Sequence, residues 1–277
     1  MTEAAVPASL RRRPRWFPAL LVCALAAVIS FLLLPIVAIF VDAGPGELIA
    51  SLGDEEALDA LWLSLRTSLM AVAIIVAVGT PAAYLLATRT FRGRDLATTL
   101  IELPLVLPPA AAGIGLLAAF GPKGILGGAV EDAGLTLVLQ TAGVVVALTF
   151  VASPFYIRQA QAAFAAVDRD LLDAARTLGA GEARAFATVA VPNAGAGIVA
   201  GLALAWGRAL GEFGATLMFA GSFQGVTQTV PLAIFAGFSR DFTGALALSA
   251  VLVAVSAALL LSVKLVARTP LLGGPQS

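Results

Sequence analysis

Three aspartates, Asp168, Asp170 and Asp173, lie within a stretch of six residues in a chain that is otherwise rich in apolar residues. Carboxylates carried on membrane helices can hold Mg²⁺ for phosphotransfer. That chemistry needs a second pair of carboxylates one helix face away, and only Glu182 follows. The chain has no His and a single Cys, Cys23, which excludes imidazole and thiolate ligand clusters and a disulfide. We therefore expect no metal site, and an intramembrane transferase is a remote alternative.

Residues 121–134 form a glycine-rich stretch that resembles a phosphate-binding loop only in composition. The stretch lacks a Gly-Lys-Ser/Thr sequence, as does the whole chain, which excludes a nucleotide site of the Walker type. We expect the chain itself to bind no cofactor, and we expect no nucleic-acid partner.

A charged pair interrupts the apolar run 194–219. Arg208 and Glu212 are four residues apart, so on a helix they share a face and can form an ion pair. An Arg near the centre of a membrane helix costs roughly 2.5 to 3.5 kcal/mol, so it should face a bundle interior, a partner or water. Two interpretations stay open: a structural ion pair near the outer interface, or the gate of an anion pathway. The candidate gate comprises Arg208, Glu212, Phe213 and Thr216, with Thr216 expected on the same helix face.

The elements that must position these residues are membrane helices. Of the 277 residues, 60% are hydrophobic and 12% are charged, and the mean hydropathy is +0.97, as in integral membrane proteins. The segment 221–244 contains no apolar run long enough to cross a membrane and is predicted to be re-entrant or interfacial. We predict an all-α, polytopic membrane protein with six transmembrane helices, at residues 17–41, 61–87, 96–120, 135–157, 194–219 and 245–266.

The first and third predicted spans have distinctive features. Residues 17–41 would extend about 37 Å as a helix, too long for the core of a signal peptide, so a retained span is predicted. In the third span, Pro104, Pro108 and Pro109 remove backbone donors and predict a kink or a break. The freed carbonyls need neighbouring helices or a cavity, so this span should lie inside a bundle. Glu102, near the inner end of the span, is expected to snorkel or to make a structural contact.

The basic residues are distributed unequally over the predicted loops. Thirteen Lys and Arg residues fall on the side of both termini, and only Lys123 and Arg240 fall on the opposite side. The segment 42–59, which joins the first two spans, has six acidic residues and no basic one. By the positive-inside rule, the basic tail 1–16 and the tail 267–277 are cytoplasmic, and so is the hairpin 158–192.

The cytoplasmic hairpin is predicted to contain two short helices. Asp170 can cap the first helix, with Asp173 at its third position, and Gly179 can end it in a left-handed conformation. The second helix, at 182–191, is predicted to be stopped by Pro192. One face of the first helix carries small and apolar side chains suited to close docking on another protein: Leu171, Ala174, Ala175 and Leu178.

The hairpin resembles the cytoplasmic EAA loop of ABC-importer permeases, with Asp in place of the usual Glu. The similarity rests on Asp173-Ala174-Ala175, on Gly179 six positions after the aspartate, on Phe186, and on Val189-Ala190-Val191-Pro192. In that family the loop is a coupling helix that inserts into the ATPase subunit. The resemblance implies a type I ABC importer permease fold with a permease core at 60–266; an ordinary polar loop is the alternative. The residues implied in coupling are Asp173, Ala174, Ala175, Leu178, Gly179 and Pro192.

Three further stretches are similar to the molybdate and tungstate permeases of this family. They are ELPLVLPP at 102–109, RALGEFGATLMFAG at 208–221 and TQTVPLAI at 227–234. Sulfate permeases share the Arg-Ala-x-Gly-Glu-Phe/Tyr-Gly core but resemble the continuations less well. The resemblance implies a permease subunit for a tetrahedral oxyanion, most closely molybdate or tungstate, and not an enzyme.

The same resemblance implies the partners of the chain in the cell membrane. They are two ATPase subunits that bind ATP and Mg²⁺, a second permease copy in a homodimer, and an extracytoplasmic oxyanion-binding protein. A sulfate or thiosulfate permease, which would pair with a different permease subunit, is the near alternative. A secondary transporter is more remote, because the sequence shows no convincing internal repeat.

Overall fold

The computed structural model describes residues 16–42, 44, 46 and 53–267, and every regular element among them is a helix. The predicted tails 1–16 and 267–277 lie outside the described residues, except for residues 16 and 267. In chain order the helices are α1 Trp16–Asp42, α2 Glu55–Thr88, α3 Arg94–Val106, α4 Pro109–Phe120, α5 Gly127–Asp132, α6 Thr141–Ala165, α7 Arg169–Thr177, α8 Glu182–Asn193, α9 Gly195–Leu210, α10 Gly214–Ala220, α11 Val230–Gly237 and α12 Phe242–Ala267.

Four of these helices, α1, α2, α6 and α12, are long and apolar enough to cross a membrane. Two bent pairs meet the same test. The axes of α3 and α4 turn by 118°, and those of α8 and α9 turn by 74°. If each bent pair makes one crossing, the described residues contain six crossings, which is the predicted number. The second pair then differs from the predicted fifth span, because it includes α8, a helix of the predicted hairpin.

Helix α6 begins and ends later than the predicted fourth span, 135–157. Gly134 and Leu139 have φ angles of 72° and 58°, in the left-handed region, so the helix cannot begin before them. At the other end, residues 158–165 are mostly Ala and Gln, which favour helix, and α6 therefore continues past the apolar run. These eight residues are part of α6, so the predicted hairpin segment 158–192 begins within this helix.

The predicted third span consists of two helices. Helix α3 ends at Val106 and α4 begins at Pro109, with Pro104 inside α3. Pro108 and Pro109 have no N–H to donate to the carbonyls of Pro104 and Leu105 one turn earlier. The chain turns through 118° at this point.

The prediction of a continuous fifth span is wrong. Helix α9 ends at Leu210, and α10 is a separate helix that begins at Gly214. Glycine at positions 211 and 214 makes helical conformation costly there. In addition, the N–H of Ala215 donates a hydrogen bond to Oε1 of Glu212 at 2.7 Å, which competes with helical hydrogen bonding.

Helices α2, α6 and α9 form the centre of the bundle. Gly79 of α2 lies against Tyr156 of α6, where an added Cβ would be 3.0 Å from Cδ1 of the ring. Tyr156 is fully buried, and its hydroxyl is 2.6 Å from Oγ1 of Thr80. Gly197 and Gly201 also bring α9 close to α6, where an added Cβ would clash with Cβ of Ala163 at the first position and be 3.1 Å from Cβ of Gln159 at the second. Small residues thus allow the three central helices to pack backbone to side chain.

The outer helices are attached to this centre in different ways. Helix α1 has no buried residue and packs against α12. Helix α11 packs against α12 and α2, with Val230, Leu232 and Ala233 buried. The N–H of Val230 donates to Oγ of Ser64 on α2 at 2.8 Å. The short segment after the fifth span is therefore anchored in the bundle.

Candidate functional site

The first hairpin helix, α7, is capped by Asp168 and not by Asp170 as predicted. Oδ1 of Asp168 accepts a hydrogen bond from the N–H of Asp170 at 2.9 Å. Asp170 lies in the first turn, and Asp173 is the fifth helical residue instead of the third. Either aspartate is a suitable cap, but a cap at Asp168 also leaves Asp170 where a carboxylate interacts favourably with the helix dipole.

Helix α7 ends in a Schellman motif at Gly179, whose φ is 88°. The N–H of Gly179 donates to the carbonyl of Arg176 at 2.9 Å, and the N–H of Ala180 donates to that of Ala175 at 3.0 Å. These two bonds satisfy carbonyls at the end of the helix and require a left-handed residue between them. The direction in which the chain leaves α7 is thereby fixed.

The two faces of α7 have different surroundings. Leu172 is buried in the main core, and Ala175 is half-buried against the same core. Leu171, Ala174 and Leu178 are exposed, Leu178 to 88%. The predicted four-residue face is thus split, since Ala175 turns inward. The three exposed side chains form an apolar surface on a helix that is fixed at both ends, and we call this surface the docking face.

Asp173 lies beside the docking face. Its Oδ1 is 2.8 Å from Nη1 of Arg176, one turn along α7, and both side chains are largely exposed. An exposed pair of this kind adds little stability. Asp173 can therefore exchange Arg176 for a cationic group of another protein at little cost.

An aromatic cluster connects the hairpin to the central helices. Tyr84 of α2, Phe164 of α6 and Phe186 of α8 contact one another, with ring centroids 4.8 to 6.1 Å apart. Arg89, just after α2, also forms an ion pair with Glu182 at the start of α8. A displacement of the hairpin would therefore be passed directly to α2 and α6.

The prediction that Pro192 stops the second hairpin helix is wrong. Helix α8 continues through Pro192 to Asn193, and the chain then bends by 74° into α9. A π-helical turn, Phe186–Ala190, directly precedes the proline and accommodates its missing N–H. The side chain of Asn193 donates to the carbonyl of Val189 at 2.7 Å. Pro192 thus lies at the bend between the hairpin and the fifth span.

Glu102 and Arg158 form an ion pair between α3 and α6. Nε of Arg158 is 3.3 Å from Oε1 of Glu102, and both side chains are partly exposed. Glu102 therefore makes a structural contact, one of its two interpretations. Arg158 makes this ion pair from its position on α6.

The second candidate site is the break between α9 and α10. Glu212 is only 1% exposed, and its Oε2 is 2.6 Å from Nη2 of Arg208. Its other oxygen, Oε1, accepts the N–H of Ala215. One buried carboxylate therefore joins the end of α9 to the start of α10. Thr216 does not share a continuous helix face with this pair, because it lies on the separate helix α10, where it is fully buried.

The break in the fifth span packs against the break in the third. An added Cβ on Gly214 would be 2.8 Å from Cβ of Pro109, and one on Gly113 would be 2.6 Å from the carbonyl oxygen of Ala215. The backbones of α4 and α10 approach this closely because both glycines lack a side chain. The ring of Phe213 packs on an aromatic ring of α11, with centroids 5.0 Å apart. The predicted break at Pro109 thus meets Gly214 and Ala215, which lie between the predicted gate residues Phe213 and Thr216. We call this contact between the two breaks the junction.

Sequence reasoning missed a row of buried hydroxyl residues on α2: Ser64, Thr67 and Ser68. Oγ of Ser68 accepts a hydrogen bond from Nε1 of Trp206 on α9 at 3.0 Å, and Oγ of Ser64 accepts the N–H of Val230. Their spacing of three and four residues places them on one helix face, which was the available signal. Through these two hydrogen bonds, the row connects α2 to α9, before the break, and to the start of α11, after it.

The sequence profile of one protein family, "Binding-protein-dependent transport system inner membrane component", matches residues 79–269, which include the hairpin and the junction. The molybdenum transport system permease protein ModB of Mycobacterium tuberculosis is 40% identical over 260 residues, 93% of this chain and 96% of ModB. The sulfate transport system permease protein CysW of Synechocystis is 32% identical over 248 residues, 88% of this chain and 90% of CysW.

The fold is similar to a chain in the crystal structure of a bacterial alginate ABC transporter in complex with its periplasmic protein. The TM-score is 0.74, and the match covers 94% of this chain and 96% of that chain at 15% identity. The type I ABC importer permease fold is thereby confirmed, while the secondary transporter and the transferase are set aside. The chain belongs to the family of binding-protein-dependent transport system inner membrane components, and it is a membrane-embedded transporter subunit and not an enzyme.

Proposed function

We propose that this chain is the permease subunit of an ATP-driven importer for a tetrahedral oxyanion, most closely molybdate or tungstate. The substrate is supported by the alignment with ModB, a molybdenum permease by name, over nearly the full length of both chains. One observation supports the coupling mechanism. An exposed apolar docking face lies on a rigid helix whose opposite side is packed into the core of the chain.

In this proposal α7 is the coupling helix that binds in a cleft of the ATPase. The docking face supplies apolar contact, and Asp173 beside it is available to a basic group of the ATPase. Ala175 and Leu172, on the opposite side, pack against the core and transmit the displacement. Gly179 and Pro192 fix the directions in which the chain leaves the two hairpin helices.

The pathway lies at the junction and is completed by a second copy of this chain. Residues 106–110, at the break between α3 and α4, are exposed, Val106 to 83%. Carbonyls freed by consecutive prolines must find partners inside a membrane, so protein or water has to cover this break. A homodimer with the pathway between the copies provides both covers, protein from the second copy and water in the pathway. The gate residues at the junction are Arg208, Glu212, Phe213 and Thr216.

The proposal also includes the remaining parts of the importer. Both termini and the hairpin face the cytoplasm of the cell, where two ATPase subunits bind ATP and Mg²⁺. The permease itself takes no cofactor and no nucleic acid. An extracytoplasmic binding protein delivers the oxyanion to the outer side, and ATP-driven closure of the ATPases switches the pathway between outward and inward openings.

A sulfate or thiosulfate permease subunit is the second candidate. The alignment with CysW, a sulfate permease by name, favours it, although the identity is lower, 32% against 40%. Such a subunit would pair with a different permease chain, so the composition of the purified complex also separates the two candidates.

The test is oxyanion-stimulated ATP hydrolysis in proteoliposomes that contain this chain, its ATPase and its binding protein. We expect molybdate and tungstate to stimulate hydrolysis and sulfate to have no effect. Stimulation by sulfate alone would favour the second candidate. If no oxyanion stimulated hydrolysis in a complex that assembles correctly, the proposed function would be wrong.

A further inference from the structure

Four polar side chains near the junction are buried with an oxygen that has no hydrogen-bond partner among the described residues. One of these oxygens, Oε2 of Glu212, has an ion-pair partner in Arg208. The other three are Oγ1 of Thr216, Oε1 of Gln228 and Oγ1 of Thr229, on side chains that are 0%, 7% and 3% exposed. A buried polar group left without a partner costs about 1 to 3 kcal/mol, so each one requires an explanation.

The hydroxyl of Thr216 is free because of the break in the fifth span. Other buried or half-buried threonines in these helices donate to the carbonyl four residues earlier, as Thr67 does to Leu63 and Thr149 to Val145, both at 2.7 Å. The corresponding residue for Thr216 is Glu212, which lies before the start of α10 and is not in helical register. The break therefore removes the acceptor that a continuous helix would have provided.

The hydroxyl of Thr229 is free for a different reason. Thr229 is the N-cap of α11, where a threonine normally accepts a backbone N–H of the first turn. Its side chain makes no such bond; Pro231 has no N–H, and Ser64 accepts the N–H of Val230. The neighbouring Thr227 is different, since its Oγ1 accepts the N–H of Phe223 at 2.9 Å.

Thr216 and Thr229 belong to chain segments that border the same break, the one between α9 and α10. Leu210, the last residue of α9, lines one groove together with Val230 and Ser64, so the start of α11 is next to the break. Phe213, within the break, packs on Phe235 of α11. Thr216 follows the break in the chain by a few residues, and Thr229 directly precedes Val230.

We propose that Thr216 and Thr229 form a transient binding site for the transported oxyanion when the junction opens. This inference depends on the proposed function and identifies the side chains that hold the anion inside the permease. The two hydroxyls can each donate a hydrogen bond to a tetrahedral oxyanion, whereas the partnerless atom of Gln228, Oε1, is an acceptor and would not bind an anion. Both hydroxyls are neutral donors, and the charge of the nearby Arg208 is balanced by Glu212. The site therefore holds the anion weakly enough to release it to the cytoplasm.

The test compares Thr216→Val and Thr229→Val with the wild type in proteoliposomes containing the ATPase and the binding protein. Molybdate uptake, ATP hydrolysis and the thermal unfolding of the complex are measured. We expect uptake to fall about ten- to a hundredfold, the loss of one hydrogen bond to an anion, while hydrolysis is still stimulated. The unfolding temperature should stay the same or rise, because valine removes a hydroxyl that has no partner. Thr216→Ser and Thr229→Ser, which keep the hydroxyl, should restore uptake.

Two matched substitutions remove hydroxyls that do have partners. Thr149→Val should leave uptake near the wild-type rate, and Thr227→Val should lower the unfolding temperature. The inference would be overturned if the wild type took up molybdate and both Thr216→Val and Thr229→Val took it up equally fast. It would also be overturned if both variants lowered the unfolding temperature as Thr227→Val does. A wild type that transports no oxyanion would instead contradict the proposed function itself.

Discussion

Gly179 decides how the docking helix ends. Its φ of 88° is a conformation that costs an alanine about 1 to 2 kcal/mol, and no neighbouring atom would contact an added Cβ. We therefore expect Gly179→Ala to destabilise the end of α7 and to lower binding-protein-stimulated ATP hydrolysis, without creating a clash. Hydrolysis in proteoliposomes and co-purification with the ATPase measure this effect.

Gly179→Asn provides the control at the same position. Asparagine tolerates the left-handed conformation better than alanine, so this variant should retain more stimulated hydrolysis than Gly179→Ala. Equal losses in the two variants would mean that the lost freedom of the backbone is not the cause, and the role given to the helix end would be incorrect.

The contact between the two broken spans depends on the small size of Gly113 on α4. An added Cβ would be 2.6 Å from the carbonyl oxygen of Ala215, a backbone atom that cannot rotate away. Gly113→Ala should therefore separate α4 from α10 and destabilise the chain by about 1 to 3 kcal/mol, more than the gain in helix propensity. Thermal unfolding of the purified chain measures the change.

Gly115, on the same helix, is the matched position. An added Cβ there would have nothing within 4 Å, so Gly115→Ala should leave stability unchanged or raise it through helix propensity. If both substitutions had the same effect, close packing of the two breaks would not be what holds the junction together.

The sequence was sufficient to predict which segments are membrane helices but not where they are interrupted. Apolar length and proline content predicted six crossings and a disturbed third span, and the spacing of Arg208 and Glu212 predicted their ion pair. The break in the fifth span was missed, because glycine weakens a helix without forbidding it. The position of the break is determined by tertiary contacts. The Glu212 carboxylate binds the N–H of Ala215, and Gly214 packs on Pro109.

The docking face was likewise predicted from the sequence only in part. Helical periodicity placed Leu171, Ala174, Ala175 and Leu178 together, and three of them are indeed exposed on one side of α7. Ala175 turns inward because it lies one turn after Leu172, through which the helix packs on the core. Sequence alone could not decide between two neighbouring aspartates as the cap, since both are equally good caps.

Across the whole chain, the distribution of charge predicts the orientation in the membrane. Basic residues are concentrated in the loop 89–94 and in the hairpin, whereas the loop 121–140 has only Lys123. These two loops should therefore lie on opposite sides of the membrane, the first in the cytoplasm. Thr90 and Thr136 are exposed representatives of the two loops, and replacing either by cysteine changes no charge.

In a Cys23→Ser background, a membrane-impermeant maleimide applied to spheroplasts should label Thr136→Cys and not Thr90→Cys. Inverted membrane vesicles should give the opposite result, because the reagent then reaches the cytoplasmic side. Labelling of Thr90→Cys from outside would place the hairpin on the same outer side, since two crossings, the bent pair α3–α4 and then α6, lie between residue 90 and the hairpin. The docking face would then be out of reach of any ATPase, and coupling through α7 would be physically impossible.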